Sequence, residues 1–99
     1  MDPETSNSRT RGRLRVRAPQ VPETLARQVA GAVARLREMD VAKRPGVAEA
    51  IDWANALAFL GVQDLDGEAA DATLGAVLKD HDDLELARAS IGDVLAPEA

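Results

Sequence analysis

Apolar side chains recur at helical spacing in four segments of this 99-residue chain. In the first segment they fall three or four positions apart and therefore share one face: Leu25, Val29, Val33 and Leu36. Such a stripe is typical of an amphipathic helix that packs one side against a core. The same pattern predicts four helices, over about residues 22–39, 47–60, 67–79 and 81–95.

The residues between these segments have the chemistry of helix ends. Pro22 suits a first helical turn, and Pro45–Gly46 separates the first two helices. Gly61 is placed for a left-handed C-cap, while Asp66 and Asp80 are suited to N-caps. Because the connections are short, the simplest arrangement that buries all four stripes is a four-helix bundle.

Composition favours the same fold class. Trp53 and Phe59 are the only aromatic residues, and the apolar content comes mainly from Ala, Leu and Val. A β-rich domain is expected to carry more aromatic and β-branched residues, whereas Ala and Leu are strong helix formers. The sequence therefore predicts an all-α domain over residues 13–95.

The N-terminal stretch differs from this helical body. Residues 1–12 are polar and aperiodic, which predicts a disordered leader or a remnant of cloning. The following RLRVR, residues 13–17, alternates Arg with apolar residues and is expected to be a short strand or extended connector.

Charge is divided unevenly along the chain. Residues 1–17 carry five Arg against Asp2 and Glu4, a net +3, and the remainder carries seven basic and fifteen acidic side chains, a net −8. Because the body of the chain is acidic, nucleic-acid binding is not expected outside the N-terminal arm. The chain has no Cys and no apolar run of membrane-spanning length, so a cytoplasmic location is expected.

The sequence contains few groups suited to catalysis. Its single His, His81, stands among Asp80, Asp82 and Asp83; a metal site there is conceivable, but a solvated helix start is the favoured interpretation. No glycine-rich phosphate loop is present, so the isolated chain is not expected to hydrolyse nucleotide or to act as an enzyme. Trp53, surrounded by Ala and Leu, is expected in the core rather than at a ligand.

The segment RPGVAEAIDWANAL, residues 44–57, resembles the lid signature of one branch of the MoxR AAA+ ATPases. That branch accompanies molybdenum-containing carbon monoxide dehydrogenase. Flanking stretches extend the resemblance over roughly residues 13–85. It implies that the chain is the C-terminal helical lid of such an ATPase, with the Walker motifs and arginine finger upstream of Met1.

The resemblance also implies partners and cofactors. The lid is expected to contact its own AAA+ base and neighbouring subunits of a hexameric ring, together with a partner that carries a von Willebrand factor A domain. ATP and magnesium are implied for the full-length protein, while this fragment is expected to bind no cofactor by itself. The implied role is closure over nucleotide during chaperone-like remodelling or metalloenzyme maturation.

One position departs from the family pattern. Many such lids carry an arginine at the start of a helix that reaches the γ-phosphate, but the matching position here is Glu49. Either Lys43 or Arg44, in the preceding turn, substitutes for it, with Arg44 the stronger candidate, or this branch has no phosphate sensor in its lid and Glu49 serves another purpose. Alternatively, Glu49 simply occupies the first helical turn, where the helix dipole favours a carboxylate.

Two other functions remain open at this point. An Arg-rich strand followed by a helix that starts at Pro22 is also seen in ribbon-helix-helix repressors, which pair such strands in the DNA major groove. A free-standing helical adaptor is the third possibility.

Overall fold

The computed structural model describes the backbone of residues 3–95 and the side chains of residues 9–95. Across this range the regular structure is helical and contains no strand, which confirms the all-α class. The helices are α1 (Pro3–Arg17), α2 (Glu23–Glu38), α3 (Val47–Phe59), α4 (Gly67–Thr73) with a 3₁₀ turn at Leu74–Ala76, α5 (His81–Ala89) and α6 (Ile91–Val94). Within the same residues, no helix is both long enough and apolar enough to cross a membrane.

The four predicted helical segments are helical in the structure. Helices α2 and α3 match the predicted ranges to within one residue at each end. The other two segments are each divided, because α4 tightens into the 3₁₀ turn around Gly75 and α5 stops at Ser90 before α6 begins. Glycine and serine are weaker helix formers than Ala or Leu, which is consistent with breaks at these points.

The expectation of an extended segment at residues 13–17 is wrong, because this stretch is the C-terminal part of α1. Thr10, Leu14 and Ala18 lie four positions apart and are all buried, so they form a helical stripe. Five residues of alternation were too short to distinguish a strand from this longer pattern. Helix α1 also includes most of residues 1–12, where a disordered leader is expected; Met1 and Asp2 lie outside the described residues.

Helix α2 is the central element of the core. It packs against α1, α3 and α6, and most of the residues that it buries are Ala, Val or Gly. Small side chains allow the helix axes to approach closely, while the larger buried side chains of the surrounding elements fill the remaining space: Leu14, Trp53, Leu57 and Leu74. The core is therefore continuous from α1 to α6.

The predicted helix caps are present. Asp66 accepts a hydrogen bond from Ala69 N at 2.8 Å, and Asp80 accepts one from Asp83 N at 3.1 Å. At the end of α3, Gly61 has a φ of +78°, which favours glycine. Val62 N bonds to Leu57 O and Gly61 N to Ala58 O, each at 3.0 Å, as in a Schellman motif.

Candidate functional site

The candidate site is the loop of residues 39–46 between α2 and α3, which we call the α2–α3 loop. Val41 and Pro45 are buried and anchor it to the body of the protein. Ala42, Lys43 and Arg44, between these anchors, are exposed. The loop therefore carries two adjacent cationic side chains at the N-terminal end of α3.

Asp83, in the first turn of α5, fixes one side of this loop. Its Oδ1 accepts a hydrogen bond from Ala42 N at 2.7 Å, and its Oδ2 accepts one from Lys43 N at 3.0 Å. The side chain is almost fully buried, with 3% exposure, although it bears a charge. Hydrogen bonds from backbone N–H groups compensate a buried carboxylate, and the start of a helix favours negative charge. One aspartate thus joins α5 to a loop forty positions away in sequence.

Arg37, in the last turn of α2, holds the other side of the loop. Its Nε donates a hydrogen bond to Pro45 O at 2.7 Å. Pro45 directly precedes Gly46, the N-cap residue of α3, so this bond links the end of one helix to the start of the next. The two braces lie on either side of Arg44 and restrict the backbone that carries it.

The side chains of Lys43 and Arg44 are exposed. Neither forms an ion pair with another described residue. The one buried carboxylate nearby, Asp83, already accepts two backbone hydrogen bonds. The arrangement presents two positive charges on a fixed backbone, which is a suitable contact for a phosphate or a carboxylate.

Glu49 lies at the same end of α3, in its first turn, and is half-buried. Its Oε2 lies 3.4 Å from the point where a Cβ would stand on Gly46, so the side chain folds back over the helix start. This is the position in which the helix dipole favours a carboxylate. The structure thus brings Lys43, Arg44 and Glu49 to one end of α3, but it pairs neither cation with Glu49.

His81 is exposed at the first position of α5. Two of the carboxylates beside it are engaged with backbone N–H groups, Asp80 as the cap of α5 and Asp83 on the α2–α3 loop. Among residues 9–95, no three side chains of metal-binding type come together. The surroundings of His81 are those of a solvated helix start.

Trp53 is fully buried, as expected for a core residue. Its indole Nε1 donates a hydrogen bond to Thr73 Oγ1 at 2.7 Å, and that hydroxyl donates to Ala69 O, also at 2.7 Å. The ring therefore has its polar atom satisfied inside the protein and joins α3 to α4.

Sequence reasoning missed both residues that brace the loop. Asp83 is one of three acidic residues at the start of α5, and the helix dipole accounts for all of them without distinguishing the buried one. Arg37 was missed for the same reason, because the helix dipole also accounts for a cation in the last turn of α2. No local pattern identifies their partners, since the contact from Asp83 spans forty positions.

Comparisons with known proteins do not assign a family. No family model, curated protein or solved structure matches the chain.

Proposed function

We propose that this chain is the C-terminal helical lid of a MoxR-type AAA+ ATPase, which closes over nucleotide bound by an upstream base. The observation that carries the proposal is the braced α2–α3 loop. It fixes the backbone that carries the exposed Lys43 and Arg44 at the start of α3, the helix whose sequence resembles the family's lid signature.

The proposed contact with nucleotide is electrostatic. A planar guanidinium at Arg44 can pair with two phosphate oxygens, and Lys43 adds a second positive charge. Because Asp83 and Arg37 fix the backbone, the conformational entropy lost when these residues engage a phosphate is mainly that of the two side chains. The residues present fit one wall of a phosphate site, and the base is expected to supply the rest together with magnesium.

Glu49 has a structural role in this proposal. A carboxylate repels phosphate, and Glu49 folds over Gly46 at the start of α3. The lid then contributes mechanical closure and charge, whereas catalytic groups belong to the base. Coupling of that closure to chaperone-like remodelling or metalloenzyme maturation, in a hexamer with a von Willebrand factor A partner, is part of the same proposal.

The first test is the genomic reading frame, which should continue upstream of Met1 through a Walker A motif. In the resulting full-length ATPase, Arg44→Ala should lower turnover at least about tenfold, the loss of roughly one charged contact in the transition state. The matched control is Arg27→Ala, which removes an exposed cation from α2 that has no partner among the described residues. Equal turnover in the Arg44→Ala and Arg27→Ala variants would contradict a contact between Arg44 and nucleotide. A reading frame without Walker motifs would contradict the assignment of the chain as a lid.

The free-standing adaptor remains the second candidate, supported by an exposed apolar pair at the end of α3. Phe59 is 91% exposed and Leu60 is 62% exposed, which is unusual for large apolar side chains. The ribbon-helix-helix alternative is not retained, because it requires a strand where α1 is helical.

A further inference from the structure

Helix α1 carries a strongly basic surface that the proposed function does not use. Four of its arginines are exposed and form what we call the arginine face: Arg9, Arg13, Arg15 and Arg17. Val16 lies among them and is 76% exposed. The opposite side of the helix is buried through Leu14 and Ala18, so packing fixes the direction in which the arginine face points.

No side chain among residues 9–95 neutralises the arginine face. None of its four guanidinium groups forms an ion pair or a hydrogen bond with another side chain described by the structure. Residues 9–17 contain five Arg and no acidic residue. A fixed, uncompensated cluster of this kind favours a partner of opposite charge.

A surface of opposite charge follows the end of α3, and we call it the acidic edge. It begins with the exposed Phe59 and Leu60 and continues through the exposed carboxylates of the next segment: Asp64, Asp66 and Glu68. Residues 59–69 contain no Lys or Arg. The acidic edge therefore combines an apolar pair with three negative charges.

The acidic edge is also held in place. Leu65 is buried, and its N–H donates to Gln28 Oε1 at 2.9 Å, which ties the segment to α2. The Schellman motif at Gly61 sets the direction in which the chain leaves α3. Both surfaces are thus presented by rigid backbone, which reduces the entropic cost of docking.

We propose that the arginine face of one molecule docks against the acidic edge of a second copy of this chain. The two surfaces match in composition: one has an exposed Val16 surrounded by positive charge, and the other has exposed Phe59 and Leu60 beside negative charge. The contact is head-to-tail, because each copy offers one surface of each kind, and repetition produces a ring or an open chain. A nucleic acid is the less favoured occupant, since the remainder of the molecule carries a net −8.

Charge reversal of each surface tests this proposal in the chain itself. Arg13→Glu with Arg17→Glu reverses the arginine face, and Asp64→Lys with Glu68→Lys reverses the acidic edge. The control for the arginine-face variant is Arg27→Glu with Lys79→Glu, which makes the same change in net charge as that variant on exposed residues elsewhere. Far-UV circular dichroism of every variant checks that the helices are retained.

Sedimentation at chain concentrations up to about 1 mM covers dissociation constants in the micromolar range. We expect wild-type association to be strong at about 20 mM salt and weak at about 300 mM, where the Debye length is shorter than roughly 6 Å. Each surface reversal should weaken association at least about tenfold, whereas the control should not. A mixture of the two reversed variants should associate again, because each retains one original surface.

Three results would overturn the proposal. The first is a wild-type chain that stays monomeric under all of these conditions. The second is an equal effect of the arginine-face variant and the control. The third is a monomeric chain that shifts a short DNA duplex in a gel and loses this binding on reversal of the arginine face, which would identify nucleic acid as the occupant instead.

Discussion

The arginine face of α1 and the α2–α3 loop both present exposed cations, but the protein holds them in different ways. Apolar packing beneath the helix positions the arginine face, with Leu14 fully buried. In the α2–α3 loop, hydrogen bonds add to the anchors at Val41 and Pro45, two of them to Asp83 and one from Arg37. Apolar packing does not depend on the direction of the contact, whereas a hydrogen bond does.

This difference has a physical consequence for each surface. Apolar burial fixes the orientation of a helix but leaves long side chains free on its outer face, which suits a broad charged contact. Hydrogen bonds to Ala42 N and Lys43 N fix individual backbone atoms, which suits a contact with one small group. The two kinds of support therefore suit the contacts proposed above, with a macromolecule for α1 and with a phosphate for the loop.

The largest effect is expected from Leu14→Ala, which removes the main apolar anchor of α1. Truncation of a fully buried leucine costs about 3 kcal/mol of unfolding free energy through lost burial and the cavity left behind. Chemical denaturation measures the loss, and amide exchange should show it first in α1. Val16→Ala, on the exposed side of the same helix, should cost less than about 0.5 kcal/mol. Similar values for the two variants would contradict the claim that apolar packing positions α1.

A smaller effect is expected from Asp83→Ala, which removes the brace between α5 and the α2–α3 loop. Hydrogen bonds to a charged group contribute about 1.5–3 kcal/mol, so we expect a loss of about 2 kcal/mol. Amide exchange at Ala42 and Lys43 should accelerate, while exchange in α1 follows only the global loss. Asp82→Ala, which removes an exposed neighbour, should leave both loop amides unchanged; equal acceleration in the two variants would argue against this brace.

The smallest effect is expected from Arg37→Met, which keeps most of the aliphatic stem and removes the donor to Pro45 O. We expect a loss of at least about 1 kcal/mol of unfolding free energy, the typical net value for a single hydrogen bond. Arg27→Met on the exposed side of α2 serves as the comparison. If thermal unfolding shows no difference between the two, the hydrogen bond from Arg37 makes no net contribution to stability.

The fold class and most helix ends were accessible from sequence because they depend on local chemistry. Helical spacing of apolar residues, the caps at Asp66 and Asp80, and glycine at position 61 each act within a few residues. Helix α1 was missed because the Arg/apolar alternation of residues 13–17 masked the wider spacing of Thr10, Leu14 and Ala18.

The candidate site was accessible only in part. Lys43, Arg44 and Glu49 could be chosen because they surround the start of one predicted helix. The residues that support the loop could not be chosen in this way, because Asp83 lies 41 positions from Ala42 in sequence and contacts it only through the tertiary fold. Tertiary packing decides which carboxylate at the start of α5 becomes buried, and the local sequence pattern does not indicate which one this is.

Trp53, which is hydrogen-bonded to Thr73, allows unfolding to be followed by tryptophan fluorescence. With one Trp and no Tyr, ultraviolet-excited emission from the described body comes essentially from a single indole. That indole is fully buried and its hydrogen bond to Thr73 joins α3 to α4, a contact that we call the α3–α4 junction. Its emission maximum should therefore be blue-shifted in the native state and should move to the red when this junction opens. Fluorescence therefore reports on the α3–α4 junction, while circular dichroism reports on all the helices together. If the two signals change at different denaturant concentrations or rates, the junction opens separately from the rest of the core.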